Sequence, residues 1–451
     1  MNLLLPRNRD DRATFVERVE GSPLVLSIKG GAHLPMLLFP SASRITSLDI
    51  KCNVWSDIKK FSEGFVPRPP LDLVLDSLKL NVSEDDSLGT SSFLFGKAIY
   101  LKTFCINSGS PFLDLFRFPT LTSFKLSTTS ARVFRGSQLL NFLTASPMLQ
   151  KVRVEIMGSI SLEGISEGRV VKLPCATKFT LIVSDGGPGY GLAAYLSCPV
   201  MESMSLTQKM RVGDMTMTQE VIFPGKTLWS RIVGPYEEAK DRRGVTLDEV
   251  ALDMKTSPTT SCALSFLYSN NNVTKLNFEV SAGDGSAVPP TFDRVFTQAT
   301  WSIRRHPHLV EVKRLSICHG ISSANPAQIS LIAEQSERLF RSLGSLDELQ
   351  IHSCDGRPYL SDRNPRNPIG FLGIKKLIIS QPEAFSDEQF VGAIEKLAIS
   401  RRDAGVPRFE CVRVESREGT KLTVGLERLA ELELVGGVEP YQYPVSARRD
   451  V

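Results

Sequence analysis

The sequence predicts an α/β protein: a right-handed solenoid shaped like a horseshoe, with a parallel inner sheet of about fourteen strands. Two observations carry this prediction. The six-residue pattern apolar-x-x-apolar-x-apolar occurs fourteen times along the 451 residues, and several intervals between copies have a helical pattern. When strands and helices alternate, neighbouring strands pair in parallel and the crossovers between them are right-handed.

The copies return at intervals of 20 to 46 residues, most of them near the period of about 20–29 residues that is typical of leucine-rich repeats. Alternate side chains of a strand point to one face, so the apolar positions of one copy can stack on those of the next. One repeat cannot bury this row alone, whereas a stack can. We therefore predict a leucine-rich-repeat solenoid. Its buried strand centres are Leu48, Leu78, Phe104, Phe124, Val152, Phe179, Met204, Val250, Leu276, Leu315, Leu349, Leu377, Val412 and Leu432.

The chain divides into three predicted parts. Residues 1–43 are an N-terminal capping segment with a short helix and an additional strand near 24–28. Residues 44–436 form the irregular solenoid, and residues 437–451 a flexible tail.

Helix signals lie between several copies. The segment "SQLLNFLTASP" follows Gly136, and "TFDRVFTQATWSIRRHP" follows a turn-rich stretch. A third helix has Asn325 as its N-cap, Pro326 as its first residue and Gly344 at its end. A fourth has Ser386 and Gln389 at capping-box spacing.

Three long intervals, at 208–246, 281–311 and 355–373, interrupt the repeat. Insertions in solenoids map to loops, often on a binding face, but such loops can also be tolerated without a role. Both interpretations stay open. The glycine-rich stretch at 184–196 lies between two copies and lacks the spacing of a phosphate-binding loop. We predict a permissive turn there and no cofactor.

Composition narrows the function classes. The 53 basic and 49 acidic residues nearly balance, which gives no global attraction to nucleic acid or anionic membranes. No apolar run is long enough for a membrane helix, and the first residues lack the apolar core of a secretory signal. The eight cysteines are scattered and form no CxxC pair, so we expect reduced thiols and a cytoplasmic or nuclear location.

Catalytic and metal-binding patterns are not evident in the sequence. The five histidines, which include His306 and His308, have no accompanying carboxylate cluster or HExxH motif. No GxSxG or comparable nucleophile setting occurs. We expect a protein that is not an enzyme and binds neither metal nor cofactor.

The irregular repeat resembles the leucine-rich-repeat receptor region of fungal, mushroom-type F-box proteins over residues 13–436. "FVERVEGSPLVLSIKGG" looks like the segment that joins an F-box to the first repeat, and "SRITSLDIKCN" looks like the first full repeat. The Pro-apolar starts of "FPTLTSFKL" and "SPMLQKVRV" also fit this family.

The resemblance implies a non-catalytic protein-binding scaffold that recognises substrates for a ubiquitin ligase, with a ligase adaptor as a further partner. No F-box is visible, since only twelve residues precede "ATFVERV". The alternatives are a free-standing leucine-rich-repeat interaction protein and, less favoured, a nucleic-acid-binding solenoid.

The residues between the apolar positions should face the concave surface. Lys125, Lys151, Arg153 and Lys178 then lie together on three adjacent strands. This basic patch is either a solvated surface or a site for an acidic surface on a protein partner. The second interpretation requires the four side chains to be exposed and not paired with Glu155.

Overall fold

A computed structural model gives the fold, and its contacts divide the chain into two compact units, Met1–Lys209 (unit 1) and Met210–Val451 (unit 2). The residues that it describes are 2–4, 24–29, 45–64, 75–83, 94–95, 100–128, 130, 132–166, 168–184, 189–211, 246–255, 260–269, 271–281, 289–306, 308–319, 326–353, 373–380, 387–416 and 438–442. The protein is α/β and contains a large, mostly parallel sheet, as the sequence predicted.

The strands described in unit 1 are, in chain order, β1 (Asn2–Leu4), β2 (Leu24–Lys29), β3 (Ile45–Cys52), β4 (Ser77–Val82), β5 (Thr103–Ser108), β6 (Ser123–Thr128), β7 (Phe134–Arg135), β8 (Lys151–Ile156), β9 (Ile160–Ser161), β10 (Val171–Lys172), β11 (Lys178–Val183), β12 (Leu196–Ser197) and β13 (Ser203–Arg211). Nine are paired in parallel in the order β1-β2-β3-β4-β5-β6-β8-β11-β13. The short strands pair as β7–β9 and β10–β12. The helices are α1 (Trp55–Gly64), α2 (Gly136–Thr144) and α3 (Gly189–Ala193).

The predicted strand centres of unit 1 lie directly opposite one another across neighbouring strands. Phe104, for example, is opposite Leu78 on one side and Phe124 on the other. Each predicted centre in the described part of the chain is buried, with an exposed fraction of 3% or less. The burial prediction is therefore confirmed, and the strand expected near 24–28 is present as β2.

A repeated backbone hydrogen bond sets this register. The carbonyl of Lys102 accepts from the N–H groups of both Thr122 and Ser123, each at 2.9 Å. The carbonyl of Thr122 accepts in the same way from Gln150 and Lys151, at 2.8 and 3.0 Å. Because this doubly accepting carbonyl recurs at the start of successive strands such as β6 and β8, equivalent positions of these repeats stay side by side.

Aromatic side chains fill the core between the unit 1 sheet and its flanking elements. The ring of Phe104 lies 4.9 Å from that of Phe116, 5.0 Å from Phe118 and 6.0 Å from Phe142, which is supplied by α2. All four rings are buried. Rings at these separations add attraction beyond their burial, so this cluster joins three segments of unit 1 into one core.

The strands described in unit 2 are β14 (Leu247–Lys255), β15 (Thr260–Tyr268), β16 (Val273–Ser281), β17 (Arg314–His319), β18 (Glu348–Ser353), β19 (Lys376–Ser380), β20 (Cys411–Ser416) and β21 (Val438–Gln442). Their order is β16-β15-β14-β17-β18-β19-β20-β21, parallel from β14 through β17 to β21. The helices are α4 (Pro289–Arg304), α5 (Pro326–Phe340) and α6 (Asp387–Asp403).

The strand order of unit 2 corrects the prediction at one point. The sequence copies place β17 beside β16, whereas β17 pairs with β14. The reason is β15, a strand that the copies did not predict, which pairs antiparallel with both β14 and β16. Asn271 has a φ of +64° in the turn between β15 and β16, and the Tyr268 N–H donates to the Asn272 carbonyl at 3.0 Å. Asparagine tolerates this left-handed conformation, which favours a tight turn.

The predicted helices are present within the described residues, with some shifted ends. Helix α5 begins at Pro326 as predicted but ends at Phe340, ahead of Gly344. Helix α6 buries Ile394, Leu397 and Ala398 on one face. Asn325 and Ser386, the predicted caps, lie outside the described residues.

Several other predictions fall wholly or partly outside the described residues. These are the copy at 429–434 with Leu432, most of the intervals at 208–246 and 355–373, and residues 185–188 of the glycine-rich turn. The interval at 281–311 contains α4, as its helical pattern predicted. The segment 437–451 was expected to be a flexible tail, but it contains β21, whose backbone pairs with β20.

Candidate partner-binding surface

The four residues of the predicted basic patch, Lys125, Lys151, Arg153 and Lys178, are brought together on β6, β8 and β11. Lys125 lies directly opposite Arg153, and Lys151 lies directly opposite Lys178. All four side chains are exposed. Neighbouring parallel strands are about 4.8 Å apart, so each pair places two positively charged side chains next to each other on adjacent strands.

The doubly accepting carbonyls hold Lys151 and Lys178 at the same position of successive repeats. The Lys151 N–H donates to the Thr122 carbonyl at 3.0 Å, and the Lys178 N–H donates to the Gln150 carbonyl at 3.0 Å. The two lysines therefore enter their strands at equivalent points. Their proximity follows from backbone geometry and does not depend on any attraction between the side chains.

One member of the patch is paired. The Nε of Arg153 donates to Oε1 of Glu155 at 2.7 Å, and an Nη2 contact joins the same two groups. The requirement that none of the four pairs with Glu155 is therefore met by the lysines only. Among the described residues, no ion pair involves Lys125, Lys151 or Lys178.

Two acidic residues further along the unit 1 sheet already have partners. Asp49 on β3 accepts from Lys79 Nζ at 3.3 Å and from the Asn81 amide at 2.9 Å. Asp76, one residue before β4, lies 3.1 Å from Lys102 Nζ. Asp49 and Asp76 are thus compensated, in contrast to the three lysines of the patch.

Cys105 on β5 lies beside the patch, directly opposite Lys125. Burial raises the pKa of the Cys105 thiol above its ordinary value, and the positive charges of Lys125 and Lys79 oppose that rise. The thiol is thus held largely protonated at neutral pH. This half-buried side chain marks the boundary of the basic patch.

The equivalent positions of unit 2 carry charges of alternating sign. Glu249, Arg314, Glu348 and Lys376 follow one another across β14, β17, β18 and β19. Arg314 Nη2 lies 3.4 Å from Glu249 Oε2, and Lys376 Nζ lies 4.0 Å from Glu348 Oε2. Opposite charges across strands stabilise a sheet, and like charges destabilise it. The like-charged pairs of unit 1 therefore destabilise its sheet, whereas the opposite-charged pairs of unit 2 stabilise the sheet there.

A pocket of about 160 Å³ opens at the carboxyl end of β6. Phe112, Thr128, Arg132, Val133 and Arg135 are among its lining residues. These residues lie outside the sequence motifs described above. The available signal was "RVFRG", in which an apolar pair stands between two arginines just before α2.

His306 is packed in the core of unit 2, and His308 lies beside Glu311, with 3.4 Å between Nδ1 and Oε1. His306 is buried, stacks on Phe266 at 5.0 Å, and accepts at Nδ1 from the His308 N–H at 3.2 Å. Burial lowers the pKa of His306 to about 3, with a further lowering by His308. In the described part of the chain, no group of three or more His, Cys, Asp or Glu residues could hold a metal ion.

No helix within the described residues is long and apolar enough to cross a membrane. No protein-family model matches the chain. No curated protein is significantly similar to it.

Proposed function

We propose that the chain is a non-catalytic protein-binding scaffold whose basic patch binds an acidic surface of a partner. The carrying observation is that Lys151 and Lys178 lie exposed and directly opposite each other, with no acidic partner among the described residues. Lys125 extends the same charge on the next strand. The three lysines repel one another in the free protein. An acidic partner would neutralise their charge, and the relief of this repulsion would favour binding.

The strand arrangement supports the wider proposal that both units are built from leucine-rich repeats. In unit 1, each buried strand centre lies opposite its counterpart, and the same carbonyl pattern recurs from strand to strand. Such stacks provide wide surfaces for macromolecular partners. We infer a protein ligand in preference to nucleic acid because bases stack on aromatic side chains, and the patch contains none.

The resemblance to fungal F-box proteins supports a more specific proposal, substrate recognition for a ubiquitin ligase in the cytoplasm or nucleus. Comigration with a purified ligase adaptor in size-exclusion chromatography is its test. Separate elution would favour the alternative, a free-standing leucine-rich-repeat interaction protein.

The patch itself is tested with a fluorescein-labelled peptide of seven glutamates, by anisotropy at low and at physiological ionic strength. The triple variant Lys125→Glu/Lys151→Glu/Lys178→Glu should lose binding. The control Lys60→Glu/Lys172→Glu/Lys275→Glu changes the net charge equally at exposed positions elsewhere and should retain it. Binding should weaken as salt rises, because the Debye length falls to about 10 Å at 0.1 M ionic strength and exposed charges further apart than this are largely screened.

Equal loss in both triple variants would show that net charge alone attracts the peptide and would remove the patch from consideration. A labelled single-stranded DNA bound more tightly than the peptide, with a steep salt dependence, would favour the nucleic-acid alternative.

A further inference from the structure

We propose that the pocket at the carboxyl end of β6 binds one phenyl or branched aliphatic side chain of the acidic partner, flanked by acidic residues that contact Arg132 and Arg135. This inference rests on the proposed function, because the acidic character of the partner is taken from the basic patch. It adds an apolar anchor to a ligand so far defined by charge alone.

The size and walls of the pocket fit such a side chain. A cavity of about 150 Å³ accommodates benzene, and this pocket has about 160 Å³. Phe112 is half-buried at its wall, and Val133 at its rim is 62% exposed. An exposed valine beside a partly open ring gains from being covered by an apolar group.

The pocket is formed before any ligand arrives. The Phe134 N–H donates to the Ser159 carbonyl at 2.8 Å, and β7, which begins one residue after Val133, pairs with β9. The Thr128 hydroxyl accepts from the Met157 N–H at 2.9 Å, which fixes the end of β6. A pre-formed site avoids the cost of ordering a loop on binding.

The charge around the pocket selects acidic flanks. Arg132 and Arg135 are both exposed and stand on either side of Val133 and Phe134. Lys125 lies three residues before Thr128 on β6, a distance of about 10 Å along the strand. Since residues an odd number of positions apart on a strand point to opposite faces, Lys125 and Thr128 face opposite ways, and the charge beside the pocket comes from Arg132 and Arg135 rather than from the basic patch.

The test uses two labelled peptides, each with three glutamates on either side of a central phenylalanine or a central alanine. The phenylalanine peptide should bind the wild-type protein about tenfold more tightly, from burial of the ring. Val133→Asp should reduce this preference to less than about twofold. Val170→Asp, at a valine of unit 1 that is 54% exposed, is the matched control and should keep this preference.

The outcomes separate the two proposals. Equal binding of both peptides to the wild type would overturn the pocket proposal and leave the basic patch supported. A preference for phenylalanine that survives Val133→Asp would also overturn it, because the ring would then bind elsewhere. Failure of both peptides to bind would overturn the pocket together with the proposed function.

Discussion

The indole Nε1 of Trp55, in helix α1, donates a hydrogen bond to the Ser108 hydroxyl at the end of strand β5, at 3.1 Å. Both residues are fully buried. The Trp55 ring also meets Phe112 edge-on at 5.6 Å, in the turn that follows β5. One polar contact inside an apolar core thus attaches α1 to a strand two repeats further along the sheet.

Replacing Ser108 with Ala removes an acceptor from this buried indole N–H. We expect a loss of about 1–3 kcal/mol in the free energy of unfolding, because a buried donor without its partner keeps its desolvation cost. Urea denaturation followed by tryptophan fluorescence measures it. The control is Ser127→Ala. Ser127 is half-buried on the same face of β6 as Lys125, and its replacement should change the free energy of unfolding by less than about 0.5 kcal/mol.

Truncating a strand centre should be costly. Phe104→Ala, Phe124→Ala, Phe179→Ala and Leu276→Ala should each lower the free energy of unfolding by about 2–5 kcal/mol, through lost burial and the cavity left behind. All four side chains are 2% exposed or less. Phe112→Ala, at a half-buried position, should cost less than Phe104→Ala in the same denaturant melts. Equal costs would contradict the assignment of Phe104 to the centre of the core.

Lys178→Glu should stabilise the protein while weakening its binding of acidic peptide. The new carboxylate would lie directly opposite Lys151, replacing a repulsive cross-strand pair with an attractive one. We expect a gain of about 0.2–1 kcal/mol in thermal or chemical denaturation at low salt. Lys172→Glu, exposed on β10, should give no such gain. A loss of stability in Lys178→Glu would show that the like-charged pair carries no strain.

Because of His306, the free energy of unfolding should decrease as the pH is lowered. The pKa of His306 is about 3 in the folded protein and 6.5 ordinarily. Between these two values the imidazole is protonated in the unfolded chain and neutral in the folded protein. The stabilisation is present above pH 6.5 and is lost as the pH falls toward 3. Between pH 7 and pH 4 this amounts to at most about 3 kcal/mol.

Denaturation of wild type and His306→Gln across this range isolates the effect. The difference in stability between the two proteins should narrow as the pH falls, because glutamine does not titrate. A constant difference would mean that His306 is protonated equally in both states.

Substitution of Arg401 should lower the free energy of unfolding far more than the same substitution of its neighbour Arg402. Arg401 is 1% exposed, donates to the Ile374 carbonyl at 2.8 Å and to the Pro407 carbonyl at 3.1 Å, and lies over the Phe409 ring at 4.0 Å. Burial lowers the pKa of Arg401 to about 10, so it stays charged at neutral pH. Arg401→Met should cost about 2–3 kcal/mol through the carbonyls left without this donor.

The control is Arg402→Met, whose side chain is 66% exposed and pairs only at the surface with Asp403. That change should stay within about 0.5 kcal/mol. Similar costs for the two variants in urea melts would mean that the buried contacts of Arg401 contribute nothing.

The repeat was predictable because its cause is local. An apolar-x-x-apolar-x-apolar segment can bury its row only by stacking on another of the same kind, so Leu78, Phe104 and Phe124 imply one another. The missed strand β15 also had a signal, since Cys262, Leu264, Phe266 and Tyr268 alternate and precede three asparagines. Its leading position in the repeat pattern is the small Ala263, which is a weaker signal than the leucine or isoleucine that opens most copies.

The sequence by itself determined the α/β class, the positions of the buried strand centres and the grouping of Lys125, Lys151, Arg153 and Lys178 on adjacent strands. Periodicity decides these features, because alternate residues of a strand must face opposite ways. Only the tertiary structure decided that β17 pairs with β14 and that Arg401 is buried. Those outcomes depend on which segments meet across long separations in the chain, and no local pattern of residue types specifies such encounters.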